Sequence, residues 1–249
     1  MKCDAHLHLY DLAQKDPLVW DEFKKLERPA MVSHYSEKEH LYYLEKRREG
    51  YKFDLSLGIH PQEPLWIHGE ILKKALTEGS IGAIGECGWD FFHSRTPEEE
   101  KIQDEIFSFQ LELAIKYELP LILHLRKAVD KVFSQSRNLK KVKTVIFHSW
   151  PAPYHEAQSI LKMGINAYFS FGNPLIQGNK KAQETLKRLP KERILMETDA
   201  PWQVLKGELY TPLSALDRIY VYAAGLREVN IQVWEDQVAD NYSNAYPRV

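Results

Sequence analysis

The hydrophobic positions along the chain fall into short, β-rich runs that alternate with longer, charged amphipathic runs. The short runs predict strands over residues 2–9, 28–36, 53–60, 81–88, 119–125, 142–149, 165–171 and 193–199. The longer runs predict helices over residues 37–49, 64–78, 96–117, 154–163, 179–189, 213–226 and 231–244. Eight strands separated by helices, with no Gly- or Ser-rich linker, predict one α/β domain over residues 1–249. A closed (β/α)8 TIM barrel fits this count better than an open doubly wound sheet does.

The longest predicted helix, over residues 96–117, has a well-defined start. Pro97 suits the first helical turn, and the three glutamates that follow suit the positive end of the helix dipole. Apolar residues then recur at helical spacing, and we expect this face to pack against the sheet. They are Ile102, Ile106, Phe109, Leu113 and Ile115.

The composition is that of an ordinary globular protein. With 33 Lys and Arg against 35 Asp and Glu the net charge is −2, which excludes a strongly basic nucleic-acid clamp. No apolar run approaches the roughly 18 residues that a membrane-spanning helix needs. Two cysteines cannot build a disulfide framework, and the early Asp4 and His6 leave no room for the apolar segment of a signal peptide. We therefore expect a cytoplasmic protein that is not attached to a membrane.

Six unusual polar residues fall at the carboxyl ends of predicted strands. In a parallel barrel these ends meet at one face, which is where the active sites of this fold lie. We therefore expect a metal site there, built from four imidazoles and two carboxylates. The six residues are His6, His8, Glu86, His124, His148 and Asp199.

A divalent cation would reconcile these six groups with a folded barrel. Buried carboxylates and imidazoles are costly without a partner, and both groups suit zinc, manganese, iron and nickel. If two ions bind, a bridging ligand must offer one oxygen to each ion. A carboxylate can do this and an imidazole cannot, so the bridge is Glu86 or Asp199.

The two-residue period of a strand predicts where the neighbouring side chains point. His6 and His8 face the same side of the first strand, and if that side is the barrel axis, Cys3 faces the helices. Cys87 likewise faces away from the axis if Glu86 faces it. Both cysteines are then structural thiols rather than metal ligands.

Other polar and aromatic residues near the strand ends have two open interpretations each. His60 either contacts substrate or makes a local hydrogen bond, and Arg126 either binds a phosphate or pairs with Asp90 or another acid at the barrel mouth. Four aromatic residues either stack on unpaired bases or pack in the core; they are Trp89, Phe91, Phe92 and Trp150. Three further histidines are expected at the surface; they are His40, His68 and His155.

Five motifs occur together in one order and register. They are DAHLHL at 4–9, GIHP at 58–61, GECGWD at 85–90, LPLILH at 119–124 and ETDAP at 197–201. Together they resemble the TatD family of metal-dependent deoxyribonucleases, within the amidohydrolase-like barrel superfamily. The resemblance spans nearly the whole chain.

The resemblance implies two divalent ions, which could be zinc, magnesium, manganese or nickel, with Glu86 as their bridge. The remaining ligands form two sets, which are His6, His8 and Asp199 for one ion and His124 and His148 for the other. It further implies a cytoplasmic hydrolase that cleaves phosphodiesters, often as a 3′–5′ exonuclease on single-stranded DNA, with no obligate protein partner. Glu86 and Asp199 are the expected catalytic residues, and Asp199 would take the proton of a metal-activated water. His60 and Arg126 are the expected substrate contacts.

Two loops depart from the pattern of this family. Residues 149–151 read Ser-Trp-Pro where the family has Cys-Phe and a small residue. Residues 206–212 lack the arginine and asparagine of the family's Arg-Gly-Lys and Asn-x-Pro segments. Because these loops line the substrate side, hydrolysis of another ester, an amide or a lactone remains an alternative, for example an aminoacyl ester. A metal-binding barrel without catalytic activity is a further one.

Overall fold

The computed structural model describes residues 1–247, in which eight parallel strands alternate with helices. The strands are β1 Asp4–Leu7, β2 Ala30–His34, β3 Asp54–Leu57, β4 Ala83–Asp90, β5 Leu121–Arg126, β6 Val145–Phe147, β7 Ala167–Phe171 and β8 Ile194–Met196. Each strand pairs with the next along the chain. Two backbone hydrogen bonds join β1 to the segment after β8 and so close the sheet into a barrel. The Asp199 amide donates to the His6 carbonyl at 2.9 Å, and the His8 amide donates to the Ala200 carbonyl at 2.7 Å. The predicted (β/α)8 barrel is confirmed; residues 248 and 249 of the predicted domain lie outside the described residues.

Each of the seven predicted helices is present, and shorter helices that the pattern did not predict accompany them. The helices are α1 Leu9–Ala13, α2 Val19–Leu26, α3 Glu37–Arg48, α4 His68–Thr77, α5 Pro97–Lys116, α6 Val129–Ser134, α7 Ser136–Leu139, α8 Tyr154–Lys162, α9 Lys180–Arg188, α10 Ala215–Leu226 and α11 Ile231–Ala245. Two 3₁₀ turns are also present, at Asn173–Leu175 and Lys191–Arg193. Within residues 1–247, every helix is too short or too polar to cross a lipid bilayer.

The start of α5 agrees with the sequence. Thr96 caps the helix by accepting a hydrogen bond from the Glu99 amide at 3.2 Å, and the Glu99 carboxylate accepts one from the Thr96 amide at 2.9 Å. This reciprocal pair is a capping box, and Pro97 occupies the first turn.

The buried face of α5 agrees with the predicted one only in part. Ile106 is buried, and Phe109, Leu113 and Ile115 are half-buried and pack against the core. The most buried positions also include two glutamines. Gln110 accepts a hydrogen bond from the Ile59 amide at 2.7 Å, and Gln103 accepts one from the Asp90 amide at 2.9 Å. Because these bonds satisfy the buried amides, α5 turns a polar-containing face inward and fixes the chain segments that leave β3 and β4.

Two hydrophobic clusters form the core. The larger one lies between the strands and the surrounding helices. The smaller one contains Ile122 and Ile146, each two residues before a histidine of the strand end, so it fills the barrel beneath these histidines. Tyr242 of α11 and Tyr246, which directly follows this helix, close it from below, and Tyr246 donates to the Ala5 carbonyl at 3.0 Å. The barrel is therefore closed at its amino-terminal end.

The predicted orientation of Cys3 is wrong, whereas Cys87 lies in the larger cluster, on the predicted side. The pairing of β1 with β2 shifts between Asp4 and Leu7, so that one extra residue of β1 interrupts the alternation. As a result Cys3 belongs to the smaller cluster with Ala5 instead of facing the helices. Burial raises the pKa of the Cys3 thiol to about 12, which suits a structural residue.

Candidate metal centre

The structure brings the six predicted residues together at the carboxyl-terminal face of the barrel. All six are buried, and their imidazole and carboxylate atoms form overlapping groups within 4.8 Å of one another. The six are His6, His8, Glu86, His124, His148 and Asp199. The strand-end argument therefore located the cluster correctly.

Glu86 lies in the centre of the cluster and presents one oxygen to each of two histidine pairs. Its Oε2 lies 3.1 Å from His6 Nε2 and 3.3 Å from His8 Nε2. Its Oε1 lies 2.7 Å from His124 Nδ1 and 2.8 Å from His148 Nε2. This is the arrangement that a carboxylate needs in order to serve two cations at once.

The spacing of the donor atoms fits a divalent ion. With bonds of about 2.0–2.1 Å, ligand atoms around a tetrahedral zinc ion lie roughly 3.3 Å apart. The Nε2 atoms of His6 and His8 are 3.1 Å apart, and His124 Nδ1 is 3.2 Å from His148 Nε2. Each histidine pair therefore has the separation of two ligands of one ion.

Asp199 faces the first of these pairs with one oxygen. Its Oδ1 lies 3.7 Å from His6 Nε2 and 3.5 Å from His8 Nε2. Its Oδ2 accepts a hydrogen bond of 2.8 Å from the side-chain amide of Gln203, which also donates to Ser149 Oγ at 2.8 Å. Sequence reasoning missed Gln203, because the residue lies in a loop without a regular pattern.

Two of the histidines are oriented by hydrogen bonds on their outer nitrogens. His6 Nδ1 lies 3.0 Å from Ser33 Oγ, which is itself 2.7 Å from Ser56 Oγ. His124 Nε2 lies 2.9 Å from a carboxylate oxygen of Asp90. Since a carboxylate only accepts, His124 donates through Nε2 and leaves Nδ1 free to act as a ligand.

His148 has no such hydrogen bond, although a buried acid lies beside its outer nitrogen. Its Nδ1 lies 3.7 Å from Glu197 Oε1, which accepts a hydrogen bond from the Ser149 amide at 2.8 Å. Neither His148 Nδ1 nor Glu197 Oε2 has a hydrogen-bond partner among residues 1–247.

The electrostatics of the cluster favour positive charge. Burial alone would lower the pKa of His8, but hydrogen bonds to Asp199 and Glu86 outweigh it and raise the pKa to about 10. Burial would also raise the pKa of Glu86, yet the neighbouring His148, His60 and His6 hold it well below its ordinary value. The two carboxylates thus remain ionised and attract either protons onto the histidines or a metal cation.

Both interpretations of His60 and Arg126 have support in their contacts. His60 Nε2 lies 3.3 Å from Glu86 Oε1, and its Nδ1 accepts a hydrogen bond from the Gln62 amide at 3.2 Å. Arg126 is 3.6 Å from Asp90 Oδ2, and its guanidinium lies 3.9 Å from the centre of the Phe92 ring. Both side chains also line the cavity above the cluster, where a substrate would sit.

A cavity of about 780 Å³ opens directly above the cluster. Tyr35 and Trp202 contribute aromatic rings to its wall, and Asp11 and Glu63 contribute carboxylates. Arg126 is the only Lys or Arg among the described residues that line it. A ligand here would meet aromatic surface and few positive charges.

Burial resolves the open alternatives for the aromatic residues and corrects the prediction for His40. Three of the four aromatic residues considered for base stacking are core residues, namely Trp89, Phe91 and Trp150, while Phe92 is exposed beside Arg126. His40 is buried rather than exposed, because its ring nitrogens lie 2.9 Å from His34 Nε2 and 3.2 Å from Ser80 Oγ. His155 is exposed as predicted, and His68 is half-buried.

Comparison with known proteins gives one consistent result. The family model for TatD related DNase matches residues 3–247. The uncharacterized metal-dependent hydrolase YabD of Bacillus subtilis is 30% identical over 213 residues, which is 81% of each chain. The 3′-5′ ssDNA/RNA exonuclease TatD of a Pantoea species is 30% identical over 149 residues, covering 58% of this chain and 56% of that protein.

A solved structure of a TatD homologue has the same fold. The crystal structure of YJJV, a TatD homologue from Escherichia coli, has a TM-score of 0.83 to this chain at 22% identity, covering 100% of this chain and 98% of the other. That likeness concerns the barrel, and the family match adds the sequence. The protein with this cluster of histidines and carboxylates at its barrel mouth therefore belongs to the family of TatD-related DNases.

Proposed function

We propose that the protein hydrolyses phosphodiester bonds with two divalent ions, as a 3′–5′ exonuclease on single-stranded nucleic acid. The observation that supports this most is the position of Glu86, whose two oxygens each face a separate pair of histidines. A shared carboxylate between two sets of ligands is typical of sites in which two ions act on one substrate. The Pantoea relative, named an exonuclease on ssDNA and RNA, supports the choice of substrate.

The ligands divide into two sets around Glu86. The sets are His6, His8 and Asp199 for one ion, and His124 and His148 for the other. His60 lies within reach of the second set, since it forms a group with Glu86 and His124. When bound, such ions lower the pKa of water and balance the charge that develops on phosphate oxygens.

Asp199 would handle the proton in this reaction. Its carboxylate lies in the cluster beside His6 and His8, so it would accept a proton from the attacking water and return it to the leaving oxygen. Arg126, which rests on Phe92 at the cavity edge, would hold a phosphate of the bound strand. Tyr35 and Trp202 would contact the bases at the end of that strand.

The charge of the site sets the expected strength of binding. Arg126 is the one Lys or Arg among the described lining residues, so few phosphates can be neutralised by side chains. Because affinity for nucleic acid falls with salt in proportion to the phosphates neutralised, we expect modest affinity and a shallow salt dependence. The two free, buried cysteines suit a reducing compartment, and we propose the cytoplasm.

The acidic residues of the cavity wall favour a second candidate, a hydrolase of a small ester, amide or lactone. Asp11 and Glu63 face the cavity and would repel a long phosphate backbone. A compact, less charged substrate would avoid this repulsion. The metal cluster could act on such a substrate by the same proton transfers.

Cleavage of an oligonucleotide tests the proposal. Metal-stripped protein is titrated with Mg²⁺, Mn²⁺ or Zn²⁺ in the presence of single-stranded DNA labelled at its 5′ end. We expect a metal-dependent ladder of labelled, 3′-shortened products that Glu86→Ala abolishes. Glu70→Ala is the matched control, because Glu70 is an exposed acid of α4 that lies outside both the cluster and the cavity.

Absence of oligonucleotide cleavage would refute the proposal. If the protein binds metal but cleaves no oligonucleotide with any of the three ions, the phosphodiesterase proposal is wrong. A panel of carboxylic esters and lactones then tests the second candidate.

A further inference from the structure

Ser149, Asp199 and Gln203 meet at the edge of the metal cluster. The Gln203 amide nitrogen donates to Asp199 Oδ2 and to Ser149 Oγ, each at 2.8 Å. The three residues come from the segments that follow β6 and β8. Of the two Asp199 oxygens, Oδ1 is the one that faces His6 and His8.

The backbone conformation of all three residues is unusual. Their φ angles are 44° for Ser149, 53° for Asp199 and 53° for Gln203, all in the left-handed region. Residues other than glycine seldom adopt this conformation, and Asp tolerates it better than Ser or Gln does. Both loop segments therefore have an unfavourable backbone conformation at the point where these side chains meet.

The orientation of the Gln203 amide is fixed by its partners. An ionised Asp199 can only accept hydrogen bonds, so the amide must present its NH₂ group to it. The Gln203 carbonyl oxygen then points away and is buried, with no partner among residues 1–247. It lies over Gly172, where a Cβ would approach it to 3.0 Å. The amide thus leaves its own oxygen unsatisfied and directs both of its N–H groups toward Ser149 and Asp199.

The loop does not need this side chain to keep its place. Asn173 donates from its side-chain nitrogen to the Gln203 carbonyl of the backbone at 2.9 Å. The Trp202 amide donates to the Asp199 carbonyl at 2.7 Å, and the Thr211 amide donates to the Pro201 carbonyl at 3.0 Å. These backbone bonds hold the loop, which leaves the Gln203 amide free for another task.

We propose that Gln203 is a positioning residue for Asp199. By holding Oδ2, its amide prevents the carboxylate from rotating and keeps Oδ1 directed toward His6 and His8. Ser149 assists by orienting the amide. The effect on metal binding follows from the geometry alone, whereas the effect on catalysis rests on the proposed function.

Calorimetric titration of metal-stripped protein with Zn²⁺ or Mn²⁺ tests this role directly. Gln203→Met has a side chain of similar length without a donor, and we expect its metal affinity to fall by about 10- to 100-fold, as is usual when a partner of a ligand is lost. In cleavage assays kcat should fall by a similar factor while KM stays nearly constant. Gln203→Leu should behave in the same way and serves if the methionine variant does not fold.

Two controls separate positioning from a general effect on the loop. Ser149→Ala leaves the bond between Gln203 and Asp199 in place, so its loss of affinity should be clearly smaller. In an Asp199→Ala background, Gln203→Met should cause no further loss of metal affinity, because the group that it positions is absent. The melting temperature of each variant is recorded alongside.

The metal affinities of these variants test the proposal, whichever substrate the protein hydrolyses. Wild-type metal affinity in both Gln203 variants overturns it. So does an additive loss in the Asp199→Ala background, or a Ser149→Ala effect as large as that of Gln203→Met. If the wild-type protein cleaves no DNA, the proposed function fails, but the titrations still measure whether Gln203 positions Asp199.

Discussion

Replacing Glu86 by glutamine changes the chemistry at the centre of the cluster while keeping the shape of the side chain. In the native protein each carboxylate oxygen lies 2.7–3.3 Å from at least two histidine nitrogens. An amide offers one oxygen and one NH₂ group, and the NH₂ group cannot bind a cation. Whichever way the amide turns, one pair of histidines faces a donor instead of a ligand. Glu86→Gln should therefore lose one of the two proposed ions.

The size of the loss can be bounded from the contacts. Loss of a group that merely orients a ligand costs about 10- to 100-fold in metal affinity. Glu86 contacts both histidine pairs directly and is one of the two cluster acids, so we expect at least about 100-fold for the weakened ion. That factor corresponds to about 2.8 kcal/mol. The other ion keeps an oxygen ligand but loses a nearby negative charge, so its affinity should fall less.

Equilibrium dialysis followed by elemental analysis measures the number of bound ions, and calorimetry measures their affinities. Glu63→Gln makes the same chemical change in an exposed residue of the cavity wall and should retain the native stoichiometry. A Glu86→Gln protein that binds as many ions as the native protein, with the same affinities, would refute the bridging role of Glu86.

Three further outcomes are expected. Asp199→Asn should keep most of its metal and lose roughly 10²- to 10⁴-fold in kcat; a wild-type kcat would remove Asp199 as the proton carrier. Metal binding should release protons, because the pKa of His8 is about 10 without an ion, so affinity should fall as the pH is lowered. Calorimetry in buffers of different ionisation enthalpy checks this, and identical heats in all buffers would contradict it. Gly88→Ala should destabilise the protein by more than about 2 kcal/mol, because Gly88 has a φ of 127° and a Cβ would lie 2.3 Å from the His124 carbonyl oxygen. Urea unfolding measures the loss, and an unchanged midpoint would contradict the steric argument.

The barrel and the cluster of histidines and carboxylates at its mouth could be predicted because each depends on a local pattern. The sequence pattern of a strand that ends near His124 or His148 can be recognised without reference to distant residues. Parallel strands bring such ends together in any barrel. The prediction thus depended on strand ends alone. It reached His6 and Asp199, which lie on neighbouring segments although they are far apart in the sequence.

The remaining features depend on contacts that a local pattern does not encode. Gln103 and Gln110 look like surface residues of α5, yet they are buried because the amides of Asp90 and Ile59 bond to them. Cys3 lies inside the barrel because of the register shift in β1, which follows from its pairing with β2. Gln203 acquires its role only when the loops after β6 and β8 meet.

The junction of β1 with the segment after β8 brings together ligands that are synthesised at different times. His6 and Asp199 stand on opposite sides of this seam and are joined by the hydrogen bond between the Asp199 amide and the His6 carbonyl. During synthesis the first ligands emerge early, but the last one emerges only after all eight strands have been made. An ion that binds both sides joins the beginning of the barrel to its end, as a removable cross-link would. Such an ion would therefore strengthen this seam, and a chain truncated before β8 would have lost the partner of its first two histidines.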